Sequence, residues 1–156
     1  MSARVFTSPM ALLDAVGARF GPSAWLAIDQ PRIDLFAQAT GDHQWIHVDA
    51  RRAADGPFGG TIAHGYLTLS LVSHFLPELI EVRGVSMGVN VGMDRARFVQ
   101  PVRSGARIRA EGELVSARAA GGGVQIVLRV TVAIEDSEKP ALVVDTISRF
   151  YPQDTK

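Results

Sequence analysis

From residue 124 onward the chain alternates. Val124, Ile126, Leu128, Val130, Val132 and Ile134 make one apolar row. Gln125, Arg129, Thr131 and Glu135 fall on the opposite row. A period of two with one apolar side predicts a long, half-buried antiparallel strand. Gly121-Gly122-Gly123 supplies the turn before it. Residues 105–118 and 141–151 read as its neighbours, and residues 85–99 as a further strand that stops before Pro101.

The first half follows a helical period. Residues 8–20 read as a short amphipathic helix, with Leu12, Leu13 and Val16 on one face and Ser8 as its cap. Gly21-Pro22 ends it, and Trp25–Ile28 reads as a short strand. Asp29 predicts the start of a second helix, with Pro31 in its first turn, Ile33, Phe36 and Ala37 on its apolar face, and Gly41 as its stop. Residues 63–80 are apolar on nearly every side, through Tyr66, Leu67, Leu69, Leu71, Val72 and Phe75. A helix without a polar face is expected to be buried. One buried helix followed by four long strands predicts an α+β architecture, a curved antiparallel sheet wrapped around a long central helix. At 156 residues the chain is sized for a single domain, taken as residues 1–156.

Composition narrows the chemistry. Sixteen Lys and Arg balance sixteen Asp and Glu, which argues against a general nucleic-acid binder. The same neutrality removes long-range repulsion between copies. With no Cys, disulfides, iron–sulfur clusters and thiol nucleophiles are excluded. No run of 18 apolar residues offers a membrane span. The N-terminal stretch, with Asp14 and no long apolar core, does not read as a signal peptide, so a cytoplasmic location is expected.

Residues 42–62 break the periodicity, and a stretch of that length in a compact domain points to a functional loop. It opens with Gly41-Asp42-His43-Gln44-Trp45-Ile46-His47-Val48-Asp49. Asp42 and His47 are too far apart in register to share a helical face, but a turn can aim both at one point. A carboxylate and an imidazole together can hold a water and pass protons near neutral pH. Read alone, the segment equally suits a turn-capping Asp and a satisfied loop His. Ala63-His64-Gly65 then falls where the apolar helix should begin. Unpaired backbone N–H groups there, with Gly65 permitting close approach, suit an oxygen that gains negative charge. The bland alternative is a loop-to-helix junction, with Gly65 chosen for packing and His64 buried as a structural histidine. Gly56-Pro57-Phe58-Gly59-Gly60 lacks the Lys and hydroxyl of a phosphate loop and is expected to shape one wall of a site. Arg95, Arg97, Arg103, Arg107 and Arg109 suit phosphates, although Arg at alternate strand positions more often marks a solvated face. Trp25 and Trp45 read as packing residues. His43-x3-His47 has metal-like spacing but no third ligand set off by itself, and no metal is expected.

These two segments resemble the MaoC-like, (R)-specific enoyl-CoA hydratases, which have the hotdog fold. That family's signature, Gly-Asp followed by Pro-aliphatic-His-x-Asp and then Ala/Val-His-Gly about twenty residues on, is matched by Gly41-Asp42, Ile46-His47, Asp49 and Ala63-His64-Gly65. The stretch NVGMDRARFVQPVRSGARI is similar to the strand that follows the helix, and the resemblance runs from the first helix to Phe150. Within the family the chain looks nearest to short single-hotdog hydratases and the NodN-like group. The resemblance implies that Asp42 and His47 are the catalytic pair, that Gly65 binds the thioester oxygen, and that Ser73 supports the substrate from the central helix. It also implies a homodimer, an acyl-CoA or acyl-carrier-protein thioester as substrate, no cofactor, and reversible hydration of a trans-2-enoyl thioester. Gln44-Trp45 departs from the usual Asn-Pro and bears on substrate range. A non-catalytic acyl-binding module has no use for the pair. A hotdog thioesterase usually carries a carboxylate on the central helix, and residues 64–77 hold no Asp or Glu.

Overall fold

A computed structural model describes residues 2–154. In chain order it contains β1 (Arg4–Phe6), a 3-10 turn (Pro9–Asp14), β2 (Arg19–Phe20), β3 (Leu26–Ala27) and α1 (Gln30–Thr40). Then come α2 (Trp45–Val48), α3 (Ala50–Ala54), α4 (Gly65–Ser70), α5 (Val72–Leu79), β4 (Ile80–Val82), β5 (Val85–Phe98), β6 (Arg107–Ala120), β7 (Gly123–Ile134) and β8 (Leu142–Pro152).

Six strands form the main sheet in the order β2-β6-β7-β8-β5, with β3 also paired to β6. The long pairings are all antiparallel. The period-two row of β7 sets the register. Val124, Ile126, Leu128, Val130 and Val132 are each at most 1% exposed, while Gln125, Arg129 and Thr131 lie on the half-exposed face. On that outer face Arg129 donates both Nε and Nη2 to the carboxylate of buried Asp145 on β8. Each fully buried Val, Leu or Ile removes apolar surface worth roughly 1.5–3 kcal/mol, so this row anchors the core.

Against the sheet's inner face lies the α4–α5 segment, which buries Leu67, Leu71, Val72, Phe75 and Leu79 in the same core as β6, β7 and β8. The expected central helix is there, with two corrections. It is not one continuous helix over 63–80. Leu71, at ψ −11°, joins two segments, and its carbonyl accepts the His74 N–H in a tightened turn. Pro77 lies inside α5, cannot donate to the Ser73 carbonyl and crowds it, which favours tightening one turn earlier. Nor is the helix buried all round. Tyr66 is 71% exposed, and Ser70 and Ser73 are also exposed, because the sheet covers only one side.

The N-terminal reading changes more. The expected helix over 8–20 is a 3-10 turn of six residues, and Ser8 makes no side-chain cap bond. Gly17 at φ 89° and strand β2 end the helical path. In α1 the reading holds: Asp29 accepts the Arg32 N–H, and Gly41 closes the helix at φ 77°. Residues 42–62, expected as a loop, contain the two short helices α2 and α3 and a Gly-rich turn. Among the described residues no helix is long and apolar enough to cross a membrane.

Candidate active site

The site is built where the end of α1, the short α2 and the start of α4 converge. Gly41 stops α1 and turns the chain. Asp42 then folds its own turn: its Oδ1 accepts the Gln44 N–H, and its backbone N–H bonds Thr40 Oγ1. This local bonding, open to Asp side chains, leaves Oδ2 uncommitted. The carboxylate is about half exposed.

One turn later His47 sits on α2, only 7% exposed. Its Nδ1 lies 2.7 Å from the Ile62 carbonyl. A carbonyl can only accept, so the proton is on Nδ1 and the lone pair is on Nε2. Burial, the largest effect, pushes the His47 imidazole below its ordinary value. The hydrogen bond to Ile62 and the Asp42 carboxylate pull upward against this, and His64 adds to the lowering. A neutral base with a free lone pair is the outcome.

His64 is the third member. Its ring stacks on His47 at 3.8 Å between centroids and 23° between planes, and packs against Phe36 at 5.0 Å. Its Nε2 is 3.0 Å from the Asp42 carbonyl, so Nε2–H donates there. Side-chain atoms of Asp42, His47 and His64 all lie within 4.8 Å of one another. This trio is the one that meets, and His43 is not part of it. It suits a metal poorly. Ring lone pairs lie in the ring planes, and two stacked rings do not aim theirs at one point. Each ring also has one nitrogen bound to a carbonyl.

A cavity of about 340 Å³ opens beside His47, lined by Phe58, Gly65, Thr68, Phe98 and Val102 among others. Phe58 confirms the Gly-rich turn as one wall. Gly65 is the first residue of α4; the Leu67 and Thr68 N–H groups bond the His64 carbonyl, whereas the Gly65 N–H has no intrahelical acceptor. Packing also favours it: a Cβ at position 65 would sit 3.2 Å from the Phe98 ring and press on it. His47 thus meets Asp42 on one side and shares a cavity with Gly65 on the other. Ser73 is not part of this group. It lies eight residues along the helix and lines a second cavity, also about 340 Å³, with Leu76, Ile126, Leu128, Thr146 and Phe150.

Trp25, Trp45, Arg103, Arg107 and Arg109 are accounted for by packing, while Arg95 and Arg97 are exposed on β5. Trp45 sits under the Arg52 guanidinium at 4.3 Å and against Gly56. Trp25 is covered by Arg109 at 4.4 Å and Arg107 at 5.8 Å, and Arg107 also pairs with Glu135. Arg103 donates to the Gly59 carbonyl and holds the Gly-rich turn. Two positioning residues had no local signature. Gln30 Nε2 donates to the His47 carbonyl at 2.7 Å, and Thr61 Oγ1 donates to Gln30 Oε1 at 2.6 Å. Their partners lie 17 and 31 positions away, beyond the reach of any periodic pattern.

With this geometry in place, comparison with known proteins is informative. Residues 12–136 match the family model described as MaoC like domain. The chain is 47% identical over 148 residues to 3-hydroxyacyl-thioester dehydratase Z of Mycobacterium tuberculosis, covering 94% of this chain and 98% of that protein. It is 46% identical over 144 residues to Nodulation protein N of Rhizobium leguminosarum bv. viciae, covering 89% of each. Among solved structures, it is similar to the R-hydratase PhaJ1 of Pseudomonas aeruginosa in the unliganded form. The TM-score is 0.65 at 26% identity, with 90% of this chain and 83% of that one covered.

Proposed function

Because the chain belongs to the MaoC-like dehydratase family, with its hotdog fold and hydro-lyase chemistry, we propose that Asp42 and His47 catalyse reversible hydration of a 2-enoyl thioester. The observation that carries this is that Asp42 and His47 bring a carboxylate oxygen and a ring nitrogen within 4.8 Å of each other, with His47 on the wall of a cavity that Gly65 also lines. That span admits one water bonded to both at ~2.8 Å each. In hydration, His47 Nε2 takes a proton from the water as its oxygen bonds C3, with Asp42 orienting the water. The double-bond electrons move to the thioester oxygen, which meets the Gly65 N–H. The pair then returns the proton to C2, and dehydration runs the same steps backward. A donor at an oxyanion is worth roughly 3–4 kcal/mol of barrier. The relative named 3-hydroxyacyl-thioester dehydratase Z supports this substrate class.

The two cavities have no lining residue in common, but both border the α4–α5 segment and β5: Gly65, Thr68 and Phe98 at one, Ser73, Leu76 and Val89 at the other. Gly65 to Ser73 is eight residues, about 12 Å along a helix at ~1.5 Å each. We place the acyl tail toward Ser73, over the apolar wall of Leu76, Ile126 and Leu128. The chain works without a cofactor in this reading, on a thioester carried by CoA or acyl carrier protein, and residues 1–156 act as one domain. A second copy of the chain is the proposed partner. Strand β5 is an edge strand of 14 residues exposing Met87, Val89, Val91, Met93 and Phe98. Its first part, residues 85–93, carries no charged side chain, and a long apolar edge of that kind is a pairing surface.

The test is loss of conjugated-thioester absorbance with crotonyl-CoA and trans-2-octenoyl-CoA. Turnover that disappears in His47→Gln is expected. Turnover by that variant at the wild-type rate overturns the dyad. Sedimentation of the purified chain as a monomer at micromolar concentration overturns the dimer.

A further inference from the structure

His64 touches both members of the proposed dyad but has no part in the steps assigned to them. It is 3% exposed, with its Nδ1 buried and unpartnered. Its contacts are of two kinds. The edge, through Nε2–H, holds the Asp42 carbonyl at 3.0 Å, and so fixes the turn whose side chain carries the carboxylate. The face holds the His47 ring at 3.8 Å. His47 is held from other sides by the Ile62 carbonyl on Nδ1 and by Gln30 on its backbone. Asp42 has fewer supports: local bonds at 3.3 Å to Thr40 and Gln44, and His64. Its carboxylate Oδ2 stands 3.9 Å from His64 Nε2, outside hydrogen-bond distance. The His64 proton therefore goes to the main chain and leaves the carboxylate free to act.

We infer that His64 is a positioning residue that sets the separation of Asp42 and His47, with its Nε2–H pinning the Asp42 turn and its ring face backing the His47 imidazole. The inference rests on the dyad reading above. It predicts that His64 acts on kcat through Asp42 and leaves substrate binding nearly alone. Misplacing a reacting group by about 1 Å can cost on the order of 100-fold.

His64→Phe keeps a ring against His47 and removes the donor. His64→Gln keeps an N–H at the Nε2 position and removes the ring. With crotonyl-CoA, His64→Phe is expected to lower kcat about 100-fold with KM within twofold. His64→Gln should recover about tenfold of that loss. In an Asp42→Asn background, His64→Phe should cost less than threefold more, because the group it positions is already gone. Wild-type kcat in His64→Phe overturns the inference. So does the same 100-fold loss in the Asp42→Asn background, or a loss carried by KM. If His64→Phe does not fold, His64→Asn, whose amide is too short for the Asp42 carbonyl, replaces it beside His64→Gln. Asp42→Asn and His47→Gln run alongside separate the two claims. Wild-type rates in those variants sink the dyad itself, whereas their inactivity with a fully active His64→Phe sinks only the role of His64.

Discussion

The two cavities that border the α4–α5 segment are built on opposite principles. At the Gly65 end, both imidazoles are bonded to backbone carbonyls, and the groups left over include the two the proposed reaction uses, His47 Nε2 and Asp42 Oδ2. At the Ser73 end the wall is Leu76, Ile126, Leu128 and Phe150, and the buried Thr146 hydroxyl has no partner there. One end fixes geometry through directional bonds, which fail when an atom moves. The other offers apolar area, which tolerates shifts and changes of length. Substitutions at the first end should therefore alter rate, and at the second end substrate range.

The largest expected effect tests the first half of that contrast. Asp42→Asn and His47→Gln should each lower kcat at least 1000-fold, while the thermal midpoint stays within a few degrees. A fall in midpoint matching the fall in rate would make this end structural. Next is Gly65→Val. Its side chain presses on Phe98 beside the proposed oxyanion donor, and kcat should fall about 100-fold with crotonyl-CoA. A KM change alone would remove Gly65 from the reaction and leave it a packing glycine. Smaller again, Ser73→Phe should reduce kcat/KM for trans-2-octenoyl-CoA about tenfold and leave crotonyl-CoA nearly untouched. Equal loss with both substrates would show that the two cavities do not form one binding path.

The smallest effect is in pH. Burial holds the His47 imidazole below its ordinary value. Its proton affinity is thus lower folded than unfolded. Stability from the neutral, buried ring is full above the ordinary histidine value, near 6.5. It is lost as pH falls from there to the lowered folded value, since the unfolded chain takes up the proton first. Melting midpoints measured down this window should drop for the wild type and flatten in His47→Gln. Activity should fall along an acid limb that lies below the ordinary histidine range, where Nε2 becomes protonated. A limb above that range would contradict the buried neutral base.

Much of the molecule could be read from the chain because its causes are local. The β7 row needs only alternation, and the ends of α1 need only Asp29 and Gly41. The proposed dyad stands in a motif, and its turn is self-contained, since Asp42 bonds Gln44 two residues on. The misreadings share one cause. Residues 8–20 have helical spacing, but β2 pairs Arg19 and Phe20 with Glu113 and Gly112, so tertiary pairing outweighs weak propensity. The all-apolar helix suggested burial on every side, yet the sheet covers one side and leaves Tyr66 exposed.

By itself, then, the sequence determined which segments become strands and helices, and which residue types stand ready for proton transfer. Periodicity and turn chemistry act over a few residues, so they are written in neighbouring letters. Only the tertiary structure decided that His64 rather than His43 stacks on His47, that Gln30 and Thr61 hold its backbone, and that Ser73 faces a second cavity. The two hydrogen bonds join residues 17 and 31 positions apart, Ser73 shares its cavity with residues of β7 and β8, and these distances exist only once the sheet and helix have packed.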